Sequence, residues 1–361
     1  MKLFVGSQAV KVLATAFLLH GVALAQHPDI EVTNVRRVFH NGQHNAFTDL
    51  IHWKGKYWLT FRSCPDGHMV HPTASIIILS SDDAKNWKTV HQFVVAKRDT
   101  RDPHFLAFKG KLFVYTGTWY CGDSSPDRSA YTLNRHLGYA AWSEDGDRWH
   151  SPVMLEGTFG HYIWRANVFG DKAYLCGRRN HQFEITARGE GETVESAMLE
   201  SDDGLVWKTR ALFQEDHGDE TAFFFERDGS VFAIGRGSGG PAEIIRSPPP
   251  YTAWTRRDLD RNVGGPLVVK WADRIVVAGR KYGKPGATTS FYWLDPDAES
   301  TGDLLTEFAE LPSGGDNSYP GLVPVSPTKA IVSWYSSHER DDSGNTITAI
   351  YMADMEVKLK E

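Results

Sequence analysis

A seven-residue string, Ser-acid-Asp-small-x-x-Trp, occurs three times in this chain: Ser81-Asp82-Asp83-Ala84-Lys85-Asn86-Trp87, Ser143-Glu144-Asp145-Gly146-Asp147-Arg148-Trp149 and Ser201-Asp202-Asp203-Gly204-Leu205-Val206-Trp207. The copies stand about sixty residues apart, a spacing that marks a repeated supersecondary unit. A second pattern, two apolar runs joined by a tight polar turn, recurs six times, at 52–58, 108–113, 168–174, 226–232, 271–276 and 325–331. Each is followed by a third apolar run, at 75–80, 138–143, 195–201, 242–247, 290–294 and 346–353. Radial repetition of small meanders lets a strand-rich chain avoid long exposed edges. The sequence therefore predicts an all-β fold, a six-bladed β-propeller of four-stranded antiparallel blades. The sixth unit lacks an outer strand of its own, and residues 31–39 form an unpaired strand at the other end, so the N-terminal segment is expected to close the ring. Seven blades is the alternative if the N-terminal region or a long loop hides another unit.

Composition agrees with many short strands joined by turns, since 12% of the 361 residues are aromatic and 33 are glycine. With 41% hydrophobic and 23% charged residues, disorder and a multi-span membrane protein are excluded. The net charge of −6 leaves no basic field for nucleic acid, so an anionic ligand must be held by local charges. Lys2, Lys11, the apolar run 12–19 and the close Ala23-Leu24-Ala25 read as a secretory signal cut after Ala25. A single propeller domain over 26–361 is expected, secreted or periplasmic, monomeric and without a membrane span. Cys64, Cys121 and Cys176 are odd in number and lack zinc-ligand spacing, which excludes a disulfide framework and a zinc finger. Cys64 and Cys121 each follow the second strand of a repeat and either pair or stay as buried thiols. No cofactor and no metal are expected.

In the repeated strings, Asp and Ser side chains bond the backbone of a turn and Trp fills the space between neighbouring units. Asp83, Asp145 and Asp203 are thus assigned to the fold, as are Trp87, Trp149 and Trp207. Chemistry belongs on the face that collects the start of each innermost strand and the end of each second strand. That face receives Arg62, Arg178 with Arg179, Arg236 and Arg280 from second strands, and Arg101 and Arg165 from innermost ones. Guanidinium forks suit carboxylate recognition, so the cluster is read as a substrate-anion site. His44, His68, Glu220 and Tyr319 sit at equivalent positions and are the candidate proton-transfer or nucleophilic groups.

The three strings resemble the Asp boxes of sialidase-type propellers. Asp219-Glu220-Thr221-Ala222-Phe223-Phe224-Phe225-Glu226 followed by Arg236 is similar to the segment of that family whose glutamate polarises a nucleophilic tyrosine and whose arginine binds the substrate carboxylate. Ser318-Tyr319-Pro320-Gly321-Leu322-Val323 resembles the strand carrying that tyrosine, and Arg280 is placed like the third carboxylate-binding arginine. The first-blade arginine before an Ile-Pro pair has no counterpart, because His44-Asn45-Ala46-Phe47-Thr48-Asp49 stands there. Near the expected general-acid loop the only candidates are Asp66 and His68. Together with Tyr335-Ser336-Ser337-His338-Glu339, these features resemble a divergent bacterial branch whose members cleave rhamnose-to-glucuronate and other uronate linkages. The resemblance implies a carbohydrate-active enzyme that cleaves a glycosidic bond beside a carboxylated sugar, by hydrolysis or elimination, in an acidic oligosaccharide or polysaccharide. An exo-sialidase is one alternative. The other is a non-catalytic glycan-binding propeller with Trp119, Tyr120 and Trp164 as its sugar platform.

Overall fold

The computed structural model describes residues 27–184 and 193–358; the expected leader lies outside them. A first strand, Ile30–Phe39 (β1), precedes the blades. Blade one is His44–Trp53, Lys56–Cys64, Ser75–Ser81 and Lys88–Phe93 (β2–β5), and blade two is Arg98–Phe108, Lys111–Tyr120, Leu137–Ser143 and His150–Met154 (β6–β9). Blade three is Tyr162–Phe169, Lys172–Asn180, Val194–Ser201 and Lys208–Gln214 (β10–β13), and blade four is Thr221–Phe225, Val231–Gly235, Glu243–Ser247 and Thr255–Asp258 (β14–β17). Blade five is Gly264–Trp271, Arg274–Lys281, Thr288–Leu294 and Leu305–Leu311 (β18–β21). Blade six takes only three strands from its own stretch, Asn317–Ser326, Lys329–Arg340 and Thr346–Val357 (β22–β24), and β1 adds outside β24, with Ile30 opposite Val357. Six blades closed by the N-terminal strand are what the repeats predicted, and the seven-blade alternative is set aside.

The repeated strings build the turns between third and fourth strands. Asp83 Oδ1 accepts from the backbone N–H groups of Lys85 and Asn86, both at 2.8 Å, and Asp145 and Asp203 make the same pair of bonds in their turns. The fourth residue of each string is left-handed, at φ 56° for Ala84, 88° for Gly146 and 84° for Gly204. Two of the tryptophans then turn between blades, Trp149 against Trp58 and Trp207 against Tyr115. Blade four contains an unannounced fourth version. Ser247-Pro248-Pro249-Pro250-Tyr251-Thr252-Ala253-Trp254 carries no Asp, yet Tyr251 is left-handed at φ 67° and its carbonyl accepts from the Trp254 indole at 3.0 Å. That is the bond Trp87 and Trp149 make to Ala84 and Gly146.

Apolar side chains of adjacent sheets interdigitate from blade to blade, as where Ile76 and Ile78 of β4 meet Leu112 and Val114 of β7 in one cluster. The axis itself is closed by Arg165. Its guanidinium donates to the Pro266 and Pro320 carbonyls, each at 2.8 Å, and to Asp49 at 3.1 Å, linking blades three, five, six and one. All three cysteines are buried free thiols, so Cys64 and Cys121 do not pair. Among the described residues no helix is long and apolar enough to cross a membrane.

Candidate functional site

The arginine face owes its shape to a repeated irregularity. The ladder between first and second strands shifts register at Ala46/Asp49, Arg101/His104, Ile163/Ala166, Gly264/Leu267 and Ser318/Gly321, that is, in every blade but the fourth. A bulge re-aims the side chains beside it. Within these bulges Phe47, Asp102, Gly265 and Tyr319 adopt φ of 64°, 49°, 59° and 51°. A left-handed non-glycine residue costs on the order of 1–3 kcal/mol, a strain that clusters at functional sites.

Tyr319 is buried, and its hydroxyl donates to Glu220 Oε1 at 2.5 Å. Glu220 Oε2 accepts from Arg236 at 2.9 Å and from the Gly265 N–H at 3.0 Å. A Cβ on Gly265 would stand 2.7 Å from the Tyr319 ring, so this position has to be glycine for two reasons, space and φ. Burial, then the charges of Glu220 and Asp102, push the Tyr319 phenol well above its ordinary pKa against the opposing pull of Arg236 and Arg280. The phenol therefore keeps its proton at rest, with a carboxylate already in place to take it. Arg236 also donates to the Tyr282 hydroxyl at 3.2 Å, and Arg178 donates to Asp219 at 2.5 Å. Arg280 lies over the Tyr319 ring and donates to the Asn317 carbonyl, to Asp316 and to the Tyr335 hydroxyl. Side chains of Arg178, Arg236 and Arg280 remain about a fifth exposed, so each keeps an open side toward the face.

Beside this centre, Asp316 gathers two histidines on one oxygen. His44 Nε2 lies 2.9 Å and His68 Nδ1 2.7 Å from Oδ2, while Oδ1 accepts from Tyr335 at 2.9 Å. Burial alone would raise the Asp316 carboxyl, but the hydrogen bonds from His44 and His68, with the His68 and Arg280 charges, hold it well below the usual carboxylate range. Burial lowers His44, partly offset by Asp316, so its imidazole is neutral and its Nδ1 is buried without a partner. His68 is 44% exposed and opens to solvent. The three ligand atoms lie within 4.8 Å of one another. Two imidazoles and a carboxylate are a donor set that can take a divalent transition metal, and the same atoms also satisfy one another as a His–Asp–His unit.

Asp102, beside Arg101 in the second bulge, is a buried carboxyl that accepts from the Tyr162 hydroxyl and leaves Oδ1 without a partner. Burial, then the charge of Glu220, pushes it up to about 7. Arg101 pairs with Asp99 instead and reaches the His68 carbonyl at 3.0 Å. Arg62 is fully buried, on Asp99 and the carbonyls of Gly67 and Met69. Both thus hold the loop that carries His68 rather than facing the open site. Arg165 plugs the axis, and Arg179 points to the opposite side of its sheet from Arg178, bonding Glu195 and Thr209. Consecutive strand residues face opposite sides, a choice the sequence does not reveal for an adjacent pair. Trp164 is 1% exposed beneath Tyr319 and offers no sugar platform, whereas Tyr120 is exposed. A separate groove of about 1490 Å³ on the opposite face, lined by residues such as Trp271, Arg274, Leu294 and Val325, receives none of these groups.

No protein-family model and no curated protein matches this chain. Solved structures do. A Dyadobacter fermentans protein of unknown function is 19% identical over 92% of this chain and all of that one, with a TM-score of 0.74. Trypanosoma rangeli sialidase, bound to the inhibitor DANA, is 11% identical over 86% of this chain, with a TM-score of 0.62. The endosialidase of phage phi92 is 9% identical over 91%, with a TM-score of 0.63. The fold is that of the sialidase propellers. The chain matches 55% of the trypanosomal enzyme's length and 70% of the phage enzyme's.

Proposed function

We propose that this protein is a glycosidase that cleaves the bond beside a carboxylated sugar of a uronate-containing or similarly acidic glycan, outside the cytoplasm. The observation that carries the reading is the Tyr319–Glu220 hydrogen bond of 2.5 Å, set between Arg236 and Arg280. Arg236 and Arg280, with Arg178, hold the substrate carboxylate. Tyr319 Oη attacks the anomeric carbon while Glu220 takes the phenolic proton, which removes the cost of forming a free phenolate in a buried site. His68, oriented through Nδ1 by Asp316, is the exposed imidazole that protonates the departing glycosidic oxygen. A water then enters, His68 takes its proton, its oxygen displaces Tyr319, and Glu220 returns the proton to the phenol. His44, with Nε2 engaged by Asp316, positions that carboxylate and is a positioning residue. Hydrolysis is favoured over elimination because a phenol raised by burial is a poor resting base, while its carboxylate partner suits a nucleophile.

The test is product analysis on a panel of acidic oligosaccharides, reading new reducing ends against the ultraviolet absorbance of an unsaturated uronate. Reducing ends without that absorbance are expected. Tyr319→Phe should lower turnover at least about 100-fold with the fold intact, and Gly265→Ala, which crowds the ring, should act in the same direction. Arg236→Ala should instead weaken substrate binding by about 1.5–3 kcal/mol. Absorbance in place of simple reducing ends, or a fully active Tyr319→Phe enzyme, overturns the reading.

A further inference from the structure

Among the described residues four aromatic side chains are strongly exposed: Tyr120, Phe159, Phe183 and Tyr282. All four stand on connections that open to the arginine face, at second-strand ends or just before an innermost strand. Exposed rings are normally scattered, and a set confined to the face that carries the arginines marks a binding surface.

Three of the four form one ridge across blades two and three. Phe159 and Phe183 stack with ring centres 6.4 Å apart, at 62% and 39% exposure. Phe183 is held there by its own left-handed backbone, φ 58°, and by Gly160, whose missing Cβ would fall 2.6 Å from the Phe183 ring. The Phe183 carbonyl accepts from Asn134, and the next residue, Arg135, lies over Tyr120. Arg98 also lies over Tyr120, and Arg179 lies over Phe183. The ridge thus alternates aromatic faces with guanidinium groups. It backs onto the catalytic centre through Trp119, the neighbour of Tyr120, which packs on Tyr162, the partner of Asp102. Tyr282 stands in blade five, across the ring from blade two, with its hydroxyl on Arg236.

We infer that an extended acidic oligosaccharide crosses the face from Tyr282 in blade five, over the arginines, to the Tyr120–Phe159–Phe183 ridge, so that the protein takes a polymer and cuts within it. The inference rests on the proposed glycosidase reading. Sugar rings present apolar C–H faces that stack on flat aromatic side chains, and carboxylates further along the chain meet Arg98 and Arg135 beside Tyr120. Several weak contacts on one chain add through effective concentration, so affinity rises with length.

Binding to the unmodified protein and its variants is measured by calorimetry, using polygalacturonate, hyaluronan and polysialic acid fragments of defined length beside galacturonic, glucuronic and N-acetylneuraminic acid. The octamer of the recognised sugar is expected to bind at least about tenfold more tightly than its monomer. The Phe159→Ala/Phe183→Ala pair and Tyr120→Ala should remove most of that difference and leave monomer binding unchanged, while Phe183→Tyr keeps it. Equal affinity for monomer and octamer, or ridge variants that bind the octamer normally, overturns the inference. Arg236→Ala reports separately on the underlying reading: sugar binding indifferent to that change overturns the carboxylate site, and with it the inference.

Discussion

Asp102 shows how one residue escapes sequence reading. In Thr100-Arg101-Asp102-Pro103 it looks like the natural partner of Arg101, yet Arg101 turns to Asp99 and leaves Asp102 to Tyr162. Its carboxyl, raised to about 7 by burial and then by Glu220, holds a proton in the folded protein that an unfolded Asp, near 3.9, releases. The folded pKa lies above the unfolded one, so the stabilisation is complete below about pH 4 and is lost as pH rises toward 7. Thermal unfolding of Asp102→Asn should therefore show a flatter dependence across that window, with the variant gaining on the parent at pH 8; parallel curves would contradict it. Tyr319, Glu220, Arg236 and Arg280, by contrast, were legible, because each occupies a strand end with a recognisable neighbourhood. What was not legible is which side of its sheet an arginine faces, and so Arg62, Arg165 and Arg179 read as rim residues until their partners were seen. Gly265 gave no signal at all, since its role is the space it leaves for a ring distant in sequence.

At the level of elements, the three Trp strings were sufficient to find the repeat because their Asp side chains are tied to turn geometry. Blade four satisfies the same turn with Tyr251 and three prolines, and so its copy is invisible to a search by residue type. The tryptophans are also not equivalent. Trp207 is 3% exposed and packed on Tyr115, while Trp87 and Trp149 are only half-buried. Trp207→Ala is expected to cost about 3–5 kcal/mol, and Trp87→Ala about 1 kcal/mol. Denaturant unfolding of the two variants checks the order; equal losses would mean that depth of burial does not set the cost.

For the whole molecule, ring closure is the feature that the sequence announced most directly, as a strand without a partner at one end and a missing strand at the other. Arg36 of β1 reinforces the junction by donating to the Ala84 carbonyl of blade one at 2.9 Å. Removing residues 27–39 would expose the edge of β24, an unpaired row of backbone groups that templates association. Size-exclusion chromatography of that truncated chain should show aggregates that the intact chain does not form; elution unchanged from the intact chain would show that blade six holds with three strands.

The same junction has a mechanical character. Ile30 and Val357 face each other at one end of an antiparallel ladder, and Lys358 donates to the Asp29 carbonyl beside them. A pull applied to these two chain ends loads the ladder from that end, so its bonds break one after another rather than together. The propeller, tightly knit around its axis by Arg165, would open like a zip under tension between its ends.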